Sequence, residues 1–134
     1  MKICFHHEDF DRDVSSGTIH SLHQWVELST AFSVTQCAVI NLSSEHIPAM
    51  GGPVEVFEFS SIDDFLANTD GTKTFVDIGG TNFHGADLSA IDWLVFGGTH
   101  GLPKADLSID TGSVALYPRL AAAIIMEAVS WQSP

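Results

Sequence analysis

Apolar residues in this chain gather in short runs that are separated by clusters of Gly, Pro, Ser and Asp. Most of these runs are continuous, which is typical of strands covered on both faces and therefore of a mainly parallel sheet. Val54–Phe59 differs because its apolar and acidic residues alternate, and it is predicted to be an edge or half-exposed strand. Six strands are predicted, at Ile3–Phe5, Cys37–Ile40, Val54–Phe59, Phe75–Ile78, Trp93–Phe96 and Val114–Leu116.

Helical signals lie between these runs. Ile19, Leu22 and Val26 stand at i, i+3 and i+7, which places them on one face of a helix between the first two strands. The tetrapeptide Ser61–Asp64 resembles a capping box that opens a second, short helix, although Asp stands where Glu is usual. Strands that alternate with helices predict an α/β fold, a mainly parallel sheet flanked by helices.

The segment Tyr117–Trp131 predicts a last helix that is apolar almost all round. A helix that covers a sheet needs only one apolar stripe, so the remaining apolar surface of this helix needs a second cover. A chain of 134 residues has little other material to provide it. We therefore expect a homodimer that packs through this helix, with full burial inside one subunit as the alternative.

The length and the apolar content of 45% predict one domain over residues 1–134. Seventeen Asp and Glu against five Lys and Arg give a formal net charge of −12, so the basic surface typical of nucleic-acid binding is absent. Charge therefore disfavours an RNA partner. Cys4 and Cys37 fit neither a CxxC metal pair nor a disulfide framework, so a cytoplasmic protein is expected. No run of about 20 apolar residues is present and the start of the chain lacks a signal-peptide core, so we expect no membrane partner.

Glycine-rich turns follow two of the predicted strands. Trp93–Phe96 breaks into Gly97-Gly98-Thr99-His100-Gly101, and the strand that ends at Asp77-Ile78 continues as Gly79-Gly80-Thr81. Glycines at such turns let backbone N–H groups approach a ligand without obstruction by a Cβ. The loop from Val114 to Pro118 follows a third strand, and all three loops are expected at the carboxyl edge of one sheet, where open α/β sheets bind small ligands.

The stretch 92–131 resembles the C-terminal region of the SPOUT methyltransferase superfamily. The turn Gly97-Gly98-x-x-Gly101 is similar to that of the small branch that acts on ribosomal pseudouridine. Val14–Ile19, at the start of a helix, is similar to compact tRNA 2′-O-methyltransferases of the same superfamily. The resemblance implies a C-terminal trefoil knot, a homodimer packed through the last helix, and S-adenosylmethionine held among the three loops.

The resemblance also implies which residues would bind S-adenosylmethionine. Ile78 and Gly79 would flank the adenosine. A second wall would be formed by Phe96, Gly97, Gly98 and Gly101, and a third by Ala115, Leu116 and Leu120. Backbone groups would provide most of the polar contacts.

The chain departs from the family pattern where catalysis is concerned. Gly17 is followed four positions later by Ser21, where the 2′-O-methyltransferases carry an arginine. The resemblance implies three catalytic candidates, His100, Arg119 and Asp77. His100 and Arg119 would be the polar side chains nearest the pocket, and Asp77 would interact with the sulfonium or the amino-acid part of the ligand. Structural alternatives are a helix cap or ion pair for Arg119 and a hydrogen bond to the Gly79-Gly80 turn for Asp77.

A second cluster of polar residues follows the first predicted strand. His6-His7-Glu8-Asp9 carries residue types that bind divalent ions, but its spacing matches neither HExxH nor a common zinc finger, and no metal site is predicted. His6 or His7 would instead reach the edge of the ligand pocket and help to position a substrate.

Three functions remain open from the sequence. The first is an S-adenosylmethionine-dependent methyltransferase that acts on RNA. The second is a catalytically silent knotted dimer that binds S-adenosylmethionine or another nucleoside. The third is an enzyme that consumes S-adenosylmethionine itself.

Overall fold

The computed structural model describes residues 1–7, 15–41, 54–97, 102–109 and 118–132, with the backbone alone described at 15–21, 78, 118 and 119. No helix in these ranges is both long enough and apolar enough to cross a membrane. Along the chain the elements are β1 (Lys2–His6), α1 (Ser15–Ala31), β2 (Gln36–Ile40), β3 (Glu55–Phe59), α2 (Ile62–Ala67), β4 (Lys73–Asn82), a 3-10 turn (Phe83–Gly85), β5 (Trp93–Phe96), β6 (Leu107–Ser108) and α3 (Pro118–Gln132).

The strands form one sheet in the order β3-β2-β1-β5-β4-β6, and every described pairing is parallel. The predicted α/β class with a mainly parallel sheet is therefore confirmed. The strand at Val54–Phe59 also agrees with the predicted edge strand, because β3 pairs only with β2 among the described strands and leaves Glu55, Phe57 and Glu58 exposed.

Two strands differ from their predicted positions. β4 continues past Ile78 to Asn82, where a turn was expected, because its last residues pair with β6. β6 itself was not predicted, since its two residues hold one apolar side chain and show no periodicity. The strand predicted at Val114–Leu116 lies outside the described residues.

One face of the sheet packs against α1 and α3. The ring of Trp25 on α1 stacks on Phe5 of β1 at a centroid distance of 4.3 Å and meets Phe96 of β5 at 5.5 Å. Ile125 and Met126 of α3 are fully buried in the same cluster, and α3 also contacts α1. These two helices therefore cover the central strands from one side.

The opposite face packs against α2. Phe65 is fully buried and meets Phe59 of β3 and Trp93 of β5 edge-on, at centroid distances of 5.5 Å and 5.0 Å. α2 begins after Ser61, whose hydroxyl accepts a hydrogen bond from the Asp64 N–H. The Asp64 carboxylate accepts from the N–H of Ser60 instead of that of Ser61, so the predicted capping box is present with its return bond moved by one residue.

The C-terminus of α1 is closed by a left-handed residue. Ser33 has φ of 55°, and the Val34 N–H donates to the Ser29 carbonyl while the Ser33 N–H donates to that of Thr30. This pair of bonds is the Schellman arrangement, and it turns the chain sharply into β2.

The two cysteines are free and lie on opposite faces of the sheet, Cys37 with the α1 side and Cys4 with the α2 side. Burial raises the pKa of the Cys37 thiol to about 11 and raises the pKa of Cys4 as well. Both therefore act as small apolar side chains, which agrees with the absence of a disulfide or metal pattern in the sequence.

The predicted trefoil knot depends on the path of residues 98–101 and 110–117, which lie outside the described part of the chain.

Candidate functional site

The carboxyl ends of the central strands meet at one edge of the sheet. The parallel register sets Phe96 of β5 beside Phe5 of β1 and Val76 of β4. These three side chains belong to the core beneath α1 and α3. Because side chains alternate between the faces, the residues that follow them point toward the α2 side.

One residue further along these three strands, a row of neighbouring residues crosses the sheet. It consists of His6 on β1, Gly97 after β5 and Asp77 on β4, with Gly97 in the middle. Neighbouring strands are about 4.8 Å apart, so roughly 10 Å separates the backbones of His6 and Asp77. Gly97 places no side chain between them.

β4 carries a bulge at this edge. Val76 and Thr81 both pair with Leu107, so the four residues 77–80 leave the ladder between β4 and β6. The bulge is closed at its far end by two hydrogen bonds. The Ser108 hydroxyl donates to the Gly80 carbonyl at 2.8 Å, and the Thr81 N–H donates to the Asp106 carbonyl at 3.0 Å.

The two glycines of the bulge are required for different reasons. Gly79 has φ of 93°, which disfavours an L side chain, and a Cβ built on it meets no atom within 4 Å. A Cβ on Gly80 would lie 2.7 Å from the backbone of Leu107. Gly80 therefore permits the close approach of β6, and Gly79 presents open backbone at the sheet edge.

Asp106 fixes the segment before β6. Its backbone N–H donates to the Phe75 carbonyl at 2.8 Å, and its carboxylate accepts from the Phe75 N–H at 2.9 Å. Lys104 forms an ion pair with the same carboxylate at 3.3 Å. Asp106 and Ser108 thus support the bulge. Neither residue was predicted from the sequence, because an Asp and a Ser beside one leucine form no recognisable motif.

The structure places some of the predicted binding residues at this edge. Gly79 lies in the bulge and Gly97 is buried at the end of β5. The Phe96 side chain is buried against Trp25, so Phe96 has only its backbone to offer a ligand on the other face. Leu120 lies in the first turn of α3 and is 54% exposed.

The remaining predicted residues are placed in part or not at all. Ile78 is in the bulge and Arg119 is the second residue of α3, and only their backbones are described. Asp77, the third catalytic candidate, is half-buried in the row with Gly97. Outside the described residues lie Gly98, His100, Gly101, Ala115 and Leu116.

No group of three or more metal-ligating side chains occurs within the described ranges. Of the polar cluster after β1, His6 and His7 are described, and His7 is buried. Glu8 and Asp9 fall in the stretch 8–14, outside those ranges.

The sequence matches no family model, and no curated protein matches it either. Solved structures do match. One, from work on the 2-OH methylation of C/U34 on tRNA, has a TM-score of 0.72 at 13% identity, with 98% of this chain and 94% of that chain covered.

Two further structures are similar over the same length of this chain. The SpoU methyltransferase AviRb from Streptomyces viridochromogenes gives a TM-score of 0.71 at 12% identity, covering 98% of this chain and 58% of AviRb. AviRb has also been solved in complex with the cofactor AdoMet. The TrmH/SpoU tRNA modifying enzyme from A. aeolicus gives 0.65 at 14% identity, covering 98% of this chain and 74% of that one.

Identities this low show a shared fold. The protein has the α/β fold of the SpoU and TrmH methyltransferases, in agreement with the resemblance of its sequence to the SPOUT superfamily. It spans nearly the whole of the first structure and little more than half of AviRb.

Proposed function

We propose that the protein binds S-adenosylmethionine at the carboxyl edge of its sheet and transfers the methyl group to RNA. The observation that carries this proposal is the glycine bulge of β4 beside the end of β5, in a fold shared with methyltransferases that include an AdoMet complex. Open backbone at Gly79 and the missing side chain at Gly97 suit a ligand that is recognised by main-chain groups.

The proposed binding residues extend beyond the bulge. Ile78 and Gly79 would contact the adenosine, and Asp77, in the row with Gly97, would interact with the positive charge of the sulfonium or the amino group. Gly97, Gly98 and Gly101 would provide a second wall, with the backbone of Phe96. Ala115, Leu116 and Leu120 would provide the third, and His100 and Arg119 stay candidates for catalysis.

Calorimetry with S-adenosylmethionine tests the site. The wild-type protein is expected to bind in the micromolar range, and Gly79→Ala is expected to lose about tenfold or more in affinity, because the new methyl projects into the space left open for the ligand. Gly71→Ala is the matched control. Its φ of 96° imposes a similar backbone strain, but Gly71 lies before β4 at the opposite edge of the sheet.

Both variants are expected to lose roughly 1 to 2 kcal/mol of stability, since each forces alanine into a left-handed conformation. Gly71→Ala is expected to lose the larger share, because its Cβ would also lie 3.3 Å from the Asp92 side chain. Only Gly79→Ala should lose ligand affinity. Equal affinity in the two variants would place the ligand elsewhere, and a wild-type protein that does not bind S-adenosylmethionine would contradict the proposed function.

The acceptor is proposed to be RNA, because the similar structures include enzymes described as RNA 2′-O ribose methyltransferases and tRNA modifying enzymes. A net charge of −12 opposes RNA binding, so we expect transfer to be weak and to require low-salt buffer or a basic partner. Transfer of a radiolabelled methyl group to bulk RNA tests this. If S-adenosylmethionine disappears from a mixture that contains no RNA, the protein consumes this compound itself.

We also propose a homodimer that packs through α3. Leu120 and Ile124 are 54% and 40% exposed and stand one helical turn apart, and Trp131 near the end of the same helix is 80% exposed. Ile125, in contrast, is fully buried beneath the helix. A second copy of the chain would cover these exposed apolar side chains, and the high apolar content of α3 favours such a partner.

Sedimentation of Ile124→Glu tests the dimer. The variant is expected to be a folded monomer, because the charge falls on the exposed side of α3, whereas wild type is expected to sediment as a dimer. Glu58→Gln on β3 serves as a surface control and should not alter the mass. A monomeric wild-type protein, or a dimer that survives Ile124→Glu, would contradict this interface.

A further inference from the structure

Asp106 bonds to both ends of the bulge in β4. Its backbone N–H donates to the Phe75 carbonyl at 2.8 Å, and its own carbonyl accepts from the Thr81 N–H at 3.0 Å. In a regular parallel ladder, the N–H and C=O groups of one residue bond to two residues of the neighbouring strand that have a single residue between them. At Asp106 the whole bulge, residues 77–80, leaves the ladder between two bonds to one residue.

The Asp106 carboxylate adds a second bond at the first of these ends. Its Oδ2 accepts from the Phe75 N–H at 2.9 Å, and its Oδ1 forms the ion pair with Lys104. Phe75 is buried, whereas the Lys104 side chain is 63% exposed. Because an exposed ion pair contributes little in water, the bond to the Phe75 N–H is the one that fixes Asp106 against β4.

β6 anchors this arrangement in the core. The Leu107 side chain, next to Asp106, is buried in the cluster beneath α1 and α3. On the other side of Leu107, the Ser108 hydroxyl donates to the Gly80 carbonyl at 2.8 Å. Two polar side chains that flank one buried leucine therefore hold the bulge, Asp106 before it and Ser108 at its last residue.

The two glycines of the bulge give this anchoring a purpose. Glycine has more backbone freedom than any other residue, so Gly79 and Gly80 together would allow the segment many conformations. In the structure Gly79 has φ of 93° and presents open backbone at the sheet edge. A ligand recognised by main-chain groups binds more tightly when those groups are already held in place, because less conformational entropy is lost on binding.

We infer that Asp106 is a positioning residue for the S-adenosylmethionine site: its carboxylate, through the N–H of Phe75, holds the bulge of β4 in the conformation that binds the ligand. The inference rests on the proposed function. Asp106 acts through the backbone of β4 and not by contact with the ligand. Loss of its carboxylate should therefore weaken binding without abolishing it.

Calorimetry with S-adenosylmethionine tests this role in two variants of Asp106. We expect Asp106→Ala to raise the Kd about tenfold, with the stoichiometry of binding unchanged. Asparagine retains an oxygen that accepts from the Phe75 N–H and loses only the ion pair with Lys104. Asp106→Asn is therefore expected to stay within about threefold of the wild-type Kd.

Asp92→Ala is the matched control. The Asp92 carboxylate also accepts a hydrogen bond at 2.9 Å from a backbone N–H, that of Thr72 just before β4, but at the opposite edge of the sheet. Its removal should leave the Kd within about twofold of wild type. A role of Asp106 in stability alone would lower the fraction of protein that binds and leave the Kd of the remainder unchanged. That result, or a wild-type Kd in Asp106→Ala, would overturn the inference and leave the proposed function intact.

Hydrogen exchange of the wild-type protein adds a measurement that needs no variant. Thr81 and Thr72 are both exposed, and each donates its N–H to an aspartate, to Asp106 and Asp92 respectively. Saturating S-adenosylmethionine should slow exchange at Thr81 about tenfold or more and leave Thr72 unchanged, because the ligand stabilises the bulge that Asp106 closes. Binding without any slowing at Thr81 would overturn the inference alone. A wild-type protein that binds no S-adenosylmethionine would overturn both the inference and the proposed function.

Discussion

Replacing Gly80 with alanine is expected to lower the free energy of unfolding by about 3 kcal/mol and the melting temperature by roughly 10 °C. The new Cβ would lie 2.7 Å from the N and C atoms of Leu107, and backbone atoms cannot rotate away as a flexible side chain does. β6 must then move from β4. The bond from Ser108 to the Gly80 carbonyl would break at the same time.

Gly85→Ala is the control for this experiment. Gly85 lies in the 3-10 turn just after β4, and a Cβ on it meets no atom within 4 Å. Thermal unfolding followed by circular dichroism should give nearly the wild-type midpoint for Gly85→Ala and a much lower one for Gly80→Ala. Equal midpoints would mean that β6 does not approach β4 as closely as the structure indicates.

Replacing Phe65 with alanine is expected to cost about 3 to 5 kcal/mol of stability. The ring is fully buried and forms edge-on contacts with Phe59 and Trp93, so its removal leaves a cavity between α2 and the sheet. Six-residue α2 has few other buried contacts to hold it in place, since Phe65 is its one buried residue.

Phe57→Ala provides the matched comparison in urea denaturation. Phe57 is also a phenylalanine next to this face, on edge strand β3, but it is 37% exposed. Its truncation is expected to cost about 1 to 2 kcal/mol, because more than a third of Phe57 is already in contact with water and its removal leaves no enclosed cavity. A loss for Phe65→Ala as small as that for Phe57→Ala would show that α2 is not part of the core.

Long apolar runs made most of the sheet predictable. Strands such as Cys37–Ile40 and Trp93–Phe96 are buried on both faces, so each residue of the run is apolar and the strand is visible in the sequence. Val54–Phe59 alternates because β3 has a single neighbour among the described strands and carries exposed side chains. The parallel class and the edge strand followed from these two patterns.

The elements that support the site, β6 and the bulge in β4, could not be predicted from apolar runs. β6 is short and is held by pairings with residues distant in sequence, such as that of Asp106 with Phe75. The bulge in β4 appeared as a turn, because Gly79-Gly80 ends the apolar run although the strand resumes at Thr81. Such features depend on hydrogen bonds to a neighbouring strand that is distant in sequence, so the residues of the segment itself do not reveal them.

The central position of β5 has a consequence for synthesis of the chain. β1 pairs with β2 soon after both have emerged from the ribosome, but its other edge is satisfied only by Trp93–Phe96, far later in the chain. Until then the nascent polypeptide presents an unpaired hydrophobic strand, which is prone to association with other chains. Translation of this protein should therefore be sensitive to the supply of ribosome-associated chaperones.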